Sequence, residues 1–174
     1  MTETPSRPRD AATPRTGWRA VAALAGFVLL CLAVSAIGGW FTAGSVDGWY
    51  QTLAKPPFNP PDNVFAPVWI ALYVSMAIAA WLVWRRAGFL GARRALGLFV
   101  IQLALNLLWT IFFFGLRAPG VALVEILFLL AAIAGTIRAF APIDRTAAWL
   151  LVPYLTWVAF AALLNGAIWW LNRI

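Results

Sequence analysis

Three sets of residues carry the chemistry open to this chain. Gln102, Asn106 and Trp109 recur at i, i+4 and i+7, one face of a helix. Tyr154, Trp157, Ala161 and Asn165 recur at i, i+3, i+7 and i+11 on a second face, and Trp69 and Tyr73 share a third. Aromatic faces holding a few amides suit a cavity for a large, flat, apolar ligand, since such cavities are mostly apolar with a few orienting polar groups. The plainer alternative is that the amides are interhelical hydrogen bonds, worth ~0.6 kcal/mol each on average in a membrane. Histidine is absent, so a Ser-His-Asp triad and histidine general-base catalysis are excluded, and zinc sites of the usual kind lack their ligands. The single cysteine, Cys31, cannot form an intrachain disulfide. We assign no catalytic residue and no metal ligand, and expect no cofactor.

The elements that must position these faces follow from composition. Of 174 residues, 63% are apolar and 11% charged, against ~45–50% and ~25% in a soluble domain. A chain this short cannot hide so much apolar surface in one core, so the solvent is lipid. Five apolar runs, Val21–Trp40, Val64–Trp84, Ala95–Leu116, Val121–Ala141 and Ala147–Leu171, are 20 to 25 residues long. A span needs ~20 residues, and in lipid the backbone must satisfy its own hydrogen bonds, which makes these runs helices. The fold class is therefore an all-α, five-transmembrane-helix bundle spanning residues 18–174. Residues 1–17 form a basic arm with three prolines, expected to be disordered. Pro119 suits the start of the fourth helix, and Pro153 lies in the first turns of the fifth, where it can bend it. The first run could be a cleaved signal peptide, with a small-residue site at Val34-Ser35-Ala36, but its apolar stretch exceeds the ~7–15 residues of such a segment. We read it as a retained span.

The net charge of +7 does not point to nucleic acid, because the basic residues form short bands between apolar runs. Of the 13 Lys and Arg, ten flank one side: Arg7, Arg9, Arg15, Arg19, Arg85, Arg86, Arg93, Arg94, Arg138 and Arg145. Lys55, Arg117 and Arg173 flank the other. The bias puts the N-terminus in the cytoplasm and the C-terminus outside. The one long loop, 41–63, lies outside and is stiffened by four prolines. It is either a lid over the bundle or a linker whose Trp49 and Tyr50 sit in the headgroup belt. Trp18, Trp40, Trp84, Trp149, Trp169 and Trp170 are expected belt anchors, whereas Trp109 and Trp157 lie deeper than a belt reaches. Trp69, Asn106, Trp109, Glu125 and Asn165 all fall in the outer half of their spans, beneath the loop. Glu125 is either a snorkelling surface acid or a functional group.

Three motifs in order carry a resemblance. Trp49–Tyr73 (WYQTLAKPPFNPPDNVFAPVWIALY), Gln102–Gly115 (QLALNLLWTIFFFG) and Val152–Asn165 (VPYLTWVAFAALLN) resemble the first loop, third helix and fifth helix of the TspO/MBR family. These are the tryptophan-rich sensory proteins, whose animal members are the translocator protein, or peripheral-type benzodiazepine receptor. The resemblance spans residues ~20–172 and is far more specific than a lone short pattern. It implies a five-helix bundle, usually a homodimer, that binds porphyrins and related tetrapyrroles, isoquinoline carboxamides and benzodiazepines. By motif position it implies a pocket lined by Trp69, Asn106, Trp109, Trp157, Ala161 and Leu164, with Tyr50 in the lid. Some bacterial members are implied to degrade protoporphyrin in light, and the residues involved match Tyr50 and Trp157. The sterol-recognition pattern of animal members is not kept, since Leu164 to Arg173 contains no tyrosine.

The favoured reading is a bacterial multi-pass membrane receptor, sensor or carrier for tetrapyrroles such as protoporphyrin, with no nucleic-acid partner. The second is a light- and oxygen-dependent porphyrin-degrading enzyme using Trp157 and Tyr50. The third is a structural or adaptor membrane protein.

Overall fold

A computed structural model describes residues 16–173; most of the basic arm lies outside them. The described residues form helices and no strands. α1 (Trp18–Val46), α3 (Asp62–Gly91) and α5 (Pro119–Phe140) are each long and apolar enough to cross a membrane. So are α4 (Arg93–Thr110) with the π-helical turn Ile111–Gly115 that continues it, and the pair α6 (Arg145–Leu150) and α7 (Val152–Asn172). A short helix, α2 (Trp49–Thr52), lies in the loop between α1 and α3. Five membrane spans make the bundle expected from composition.

The helix ends run beyond the apolar runs. α1 continues through Phe41–Val46, where the sequence reading began the lid loop, because these residues are apolar or small, and it ends before Asp47-Gly48. α2 occupies four more residues of that loop. α1 belongs to the bundle: it packs on α3 and α4, Cys31 is buried, and the Trp81 indole N–H donates to the Ala20 carbonyl at 2.8 Å. One expected belt anchor is not at the surface. Trp84 is 8% exposed and packs beside Phe89. Trp18, Trp40, Trp149 and Trp170 do point outward.

Two local breaks shape the outer half, the end that carries loop 41–63. Pro119 opens α5, as its missing N–H predicts. Pro153 does more than bend the fifth span. The helix stops at Leu150 and restarts at Val152, with Pro153 in the first turn of α7. α6 packs on both α3 and α5, but beyond the break α7 stays on α5, and α3 and α7 diverge. The second break is the π turn, where the Leu116 N–H donates to the Ile111 carbonyl at 2.8 Å. The Phe114 carbonyl accepts instead from the Ser45 hydroxyl of α1 at 2.7 Å. At the other end, Arg86 pairs with Asp144 at 2.6 Å. Asp144 also caps α6 by accepting from the Ala147 N–H at 3.0 Å.

Candidate functional site

The divergence of α3 and α7 leaves a cavity of about 500 Å³ in the outer half of the bundle. Tyr50, Trp69, Asn106, Trp109, Trp157, Ala161 and Leu164, the seven residues singled out from sequence, all line it.

Its floor is a hydrogen-bonded chain across three helices. Tyr73 Oη donates to Asn106 Oδ1 at 2.6 Å, and Asn106 Nδ2 donates to Tyr154 Oη at 3.1 Å. Tyr154 is completely buried beneath it. A second relay fixes the wall: Trp109 Nε1 donates to Asn165 Oδ1 at 3.0 Å, and Asn165 Nδ2 donates to the Pro119 carbonyl at 2.8 Å. Both asparagines thus serve as interhelical hydrogen bonds while bordering the cavity. The plain alternative and the site reading are compatible here, and the cavity presents many aromatic side chains.

The π turn contributes the remaining wall. It brings Phe113 against Trp109, stacked at 5.3 Å and 26°, and sets Phe113 and Phe114 6.3 and 5.9 Å from the Tyr50 ring. Opposite, Trp157 lies edge-on to Phe65 at 5.9 Å, and Trp69 lies edge-on to Tyr154 at 6.3 Å. The indole N–H groups of Trp69 and Trp157 have no hydrogen-bond partner among the described residues, unlike those of Trp81 and Trp109. They are unpartnered donors on residues that line the cavity.

At the loop end the cavity is bordered by Asp47, Tyr50 and Asp62. Tyr50 is 5% exposed and its hydroxyl donates to Asn59 Oδ1 at 2.9 Å. Burial, and then the charge of Asp62, push its phenol up to about 12, so it stays a neutral donor at ordinary pH. Lys55 Nζ sits 4.7 Å over the Tyr50 ring. The loop is also tied to the far end of α7. The Ala54 N–H donates to Asn172 Oδ1 and Asn172 Nδ2 donates to the Ala54 carbonyl, both at 3.0 Å. Losing two such bonds should cost roughly 1–3 kcal/mol. We therefore expect Asn172→Ala to speed amide hydrogen exchange of residues 50–58 by about tenfold or more, with the spans unaffected. Unchanged exchange would mean that the prolines alone hold the loop.

Sequence reasoning missed the α1 wall, where Ser35, Gly38, Thr42 and Ala43 line the cavity. These small residues carry no aromatic or amide signal. It also passed over Thr110, which lines the cavity, whereas Tyr73, read as sharing the Trp69 face, does line it. Gln102, on the expected face, is buried beside Met76 and does not reach the cavity. Glu125 does not line the cavity either, and it is no snorkelling surface acid. It is 7% exposed on α5, and neither carboxyl oxygen has a hydrogen-bond partner among the described residues. Among the described residues no cluster of three potential metal ligands occurs.

The model of the TspO/MBR family matches residues 27–171. The chain belongs to the TspO/MBR family. It is 44% identical over 147 residues to the tryptophan-rich protein TspO of Chlorobaculum tepidum, covering 82% of this chain and 91% of that protein. It is 40% identical over 146 residues to the human translocator protein, covering 83% and 86%. It is 38% identical over 142 residues to the tryptophan-rich sensory protein of Cereibacter sphaeroides, covering 80% and 88%. The three segments that carried the resemblance all border the cavity, together with α1.

Proposed function

We propose that this TspO/MBR protein is a membrane receptor, sensor or carrier that binds a tetrapyrrole such as protoporphyrin in the cavity beneath loop 41–63. The observation that carries the reading is one cavity of about 500 Å³ bordered by Trp69, Trp109 and Trp157 and roofed by Tyr50. Ligand sites run ~300–1,000 Å³ and are mostly apolar. Flat macrocycles gain from stacking on such rings beyond the area they bury. The test is a titration of the purified chain with protoporphyrin, read by its absorption band and by quenching of tryptophan fluorescence. Saturable one-to-one binding is expected; no binding would leave the adaptor reading.

A second reading is favoured by Tyr50 and Trp157 bordering the same cavity. In it, bound porphyrin is destroyed by light and oxygen. Bands lost only under illumination in air, and kept in Trp157→Phe in air, support the enzyme. Bands stable in light leave the binder.

The carboxylates of a porphyrin would belong at the mouth, where Asp47 and Asp62 are unfavourable neighbours. Lys55 is the nearby cation, yet it is engaged with the Tyr50 ring and lies 3.5 Å from Gln51 Oε1. A rim ion pair is worth ~0–1 kcal/mol, so Lys55→Ala should weaken binding only a few-fold, and less in high salt. A hundredfold loss would mean that Lys55 moves into the cavity on binding.

We further propose a homodimer in a bacterial membrane, with α1, the span least covered by the rest of the chain, supporting a neighbour. The arginine-rich end is proposed to face the cytoplasm. A cysteine at Gly91 should resist labelling in intact cells, while one at Asp47 should react quickly. The reverse pattern would invert the orientation and leave the fold untouched.

A further inference from the structure

The arginine-rich end of the bundle holds charges that the fold does not use. Arg19 lies over Trp18, Arg85 lies 4.5 Å over Trp81, and Arg86 pairs with Asp144. Arg93 and Arg94 are exposed and have no ion pair or hydrogen bond among the described residues. They border a second cavity, of about 370 Å³, between the α3–α4 turn at Leu90 and Gly91 and the turn after α5 at Pro142 and Ile143. The nearby acid, Asp144, is 2% exposed and committed to Arg86 and to the α6 cap, so the cleft keeps its positive charge. Arg138, exposed on the last turn of α5 next to the lining residue Ala139, adds to it.

The surroundings select among anions. Leu90 is 93% exposed and Phe89 64%, which places apolar side chains beside the arginines where the membrane begins. From Arg93, the exposed face of α4 continues through Gly97, Ile101, Ala104 and Leu108 at helical spacing. A Cβ built on Gly97 would meet nothing within 4 Å, so the helix surface is hollow one turn below the arginines. A free phosphate would use the charge and ignore the hollow. A phospholipid would use both.

We propose that this cleft binds the phosphate of an anionic phospholipid, with an acyl chain running along α4 over Gly97. Guanidinium groups match phosphate oxygens in a two-pronged geometry. Basic clefts between transmembrane helices at the membrane boundary suit anionic headgroups. The site lies at the opposite end from the aromatic cavity and does not depend on what that cavity holds.

Native mass spectrometry of the full chain, extracted from vesicles of mixed phosphatidylglycerol and phosphatidylcholine, tests this. The parent chain should retain phosphatidylglycerol in preference to phosphatidylcholine. The double variant Arg93→Gln/Arg94→Gln should retain about fivefold less or lower still. Gly97→Phe keeps both arginines, fills the hollow, and should also lower retention. Arg117→Gln, at the other end, should not. Excess inorganic phosphate should fail to displace the lipid. Equal retention of the two lipids, or unchanged retention in both the double variant and Gly97→Phe, overturns the site. Displacement by phosphate with Gly97→Phe neutral makes it a free-phosphate site and overturns the lipid assignment. Should the double variant not fold, Gly97→Phe decides alone.

Discussion

Ala161→Phe is expected to weaken protoporphyrin binding by about a hundredfold while leaving the bundle folded. Ala161 lies on α7 one turn beyond Trp157 and borders the cavity. A benzyl group there takes up cavity space that a flat guest would need beside Trp157. The helix backbone is not asked to move, because the cavity itself receives the added volume. Overpacking a fitted site costs typically 1–3 kcal/mol, so a loss of about a hundredfold is the expected scale. Soret-band titration measures it, with far-ultraviolet circular dichroism showing that helix content is kept. Parent-like binding would mean that the guest does not use this face of α7.

Trp157→Ala should cut affinity by about tenfold or more, for the opposite reason. It removes surface where Ala161→Phe adds it. Stacking contributes ~0.5–1.5 kcal/mol beyond area, and the buried indole face adds to that. The indole packs on Phe65 at 5.9 Å and on Phe160 at 5.7 Å, so circular dichroism must again show intact helices. Trp157→Phe keeps an aromatic face and should bind better than Trp157→Ala, yet porphyrin should quench its tryptophan emission markedly less. Trp149→Ala serves as the control: that residue is 71% exposed on the short helix at the arginine-rich end. If Trp149→Ala and Trp157→Ala weaken binding equally, the loss reflects the bundle and not the site.

Much of the site was legible because a few residue types are conspicuous in an apolar chain. A tryptophan near mid-span, or an asparagine anywhere in a span, has no reason to face lipid. Trp109, Trp157, Asn106 and Asn165 therefore announced an interior, and their spacing put them on single faces. The α1 wall could not be read in this way. Ser35, Gly38 and Thr42 are small residues of a kind found on any close helix contact. Trp84 misled in the other direction: tryptophan near the end of a span is commonly a belt anchor, but here the turn at Gly88 and Phe89 folds back over it. Glu125 showed its depth in the sequence but not its direction.

Sequence by itself determined the number of spans, the two unlike ends and the depth of the aromatic and amide groups. These are properties of a window of residues moved from water to lipid, and they need no knowledge of neighbours. Tertiary structure alone decided which faces meet. In a soluble helix the inward face is apolar and the outward face polar, so the pattern names the core. In a bilayer both faces are apolar, as α1 illustrates with Leu29 and Leu32 turned outward and Cys31 buried between them. Orientation then rests on packing and on a few hydrogen bonds between distant residues. The hydrogen bond from Ser45 to Phe114 and the reciprocal pair of hydrogen bonds between Asn172 and Ala54 are of this kind. So is the divergence of α3 and α7 past Leu151, where Pro153 starts a new helix that stays on α5 and leaves α3.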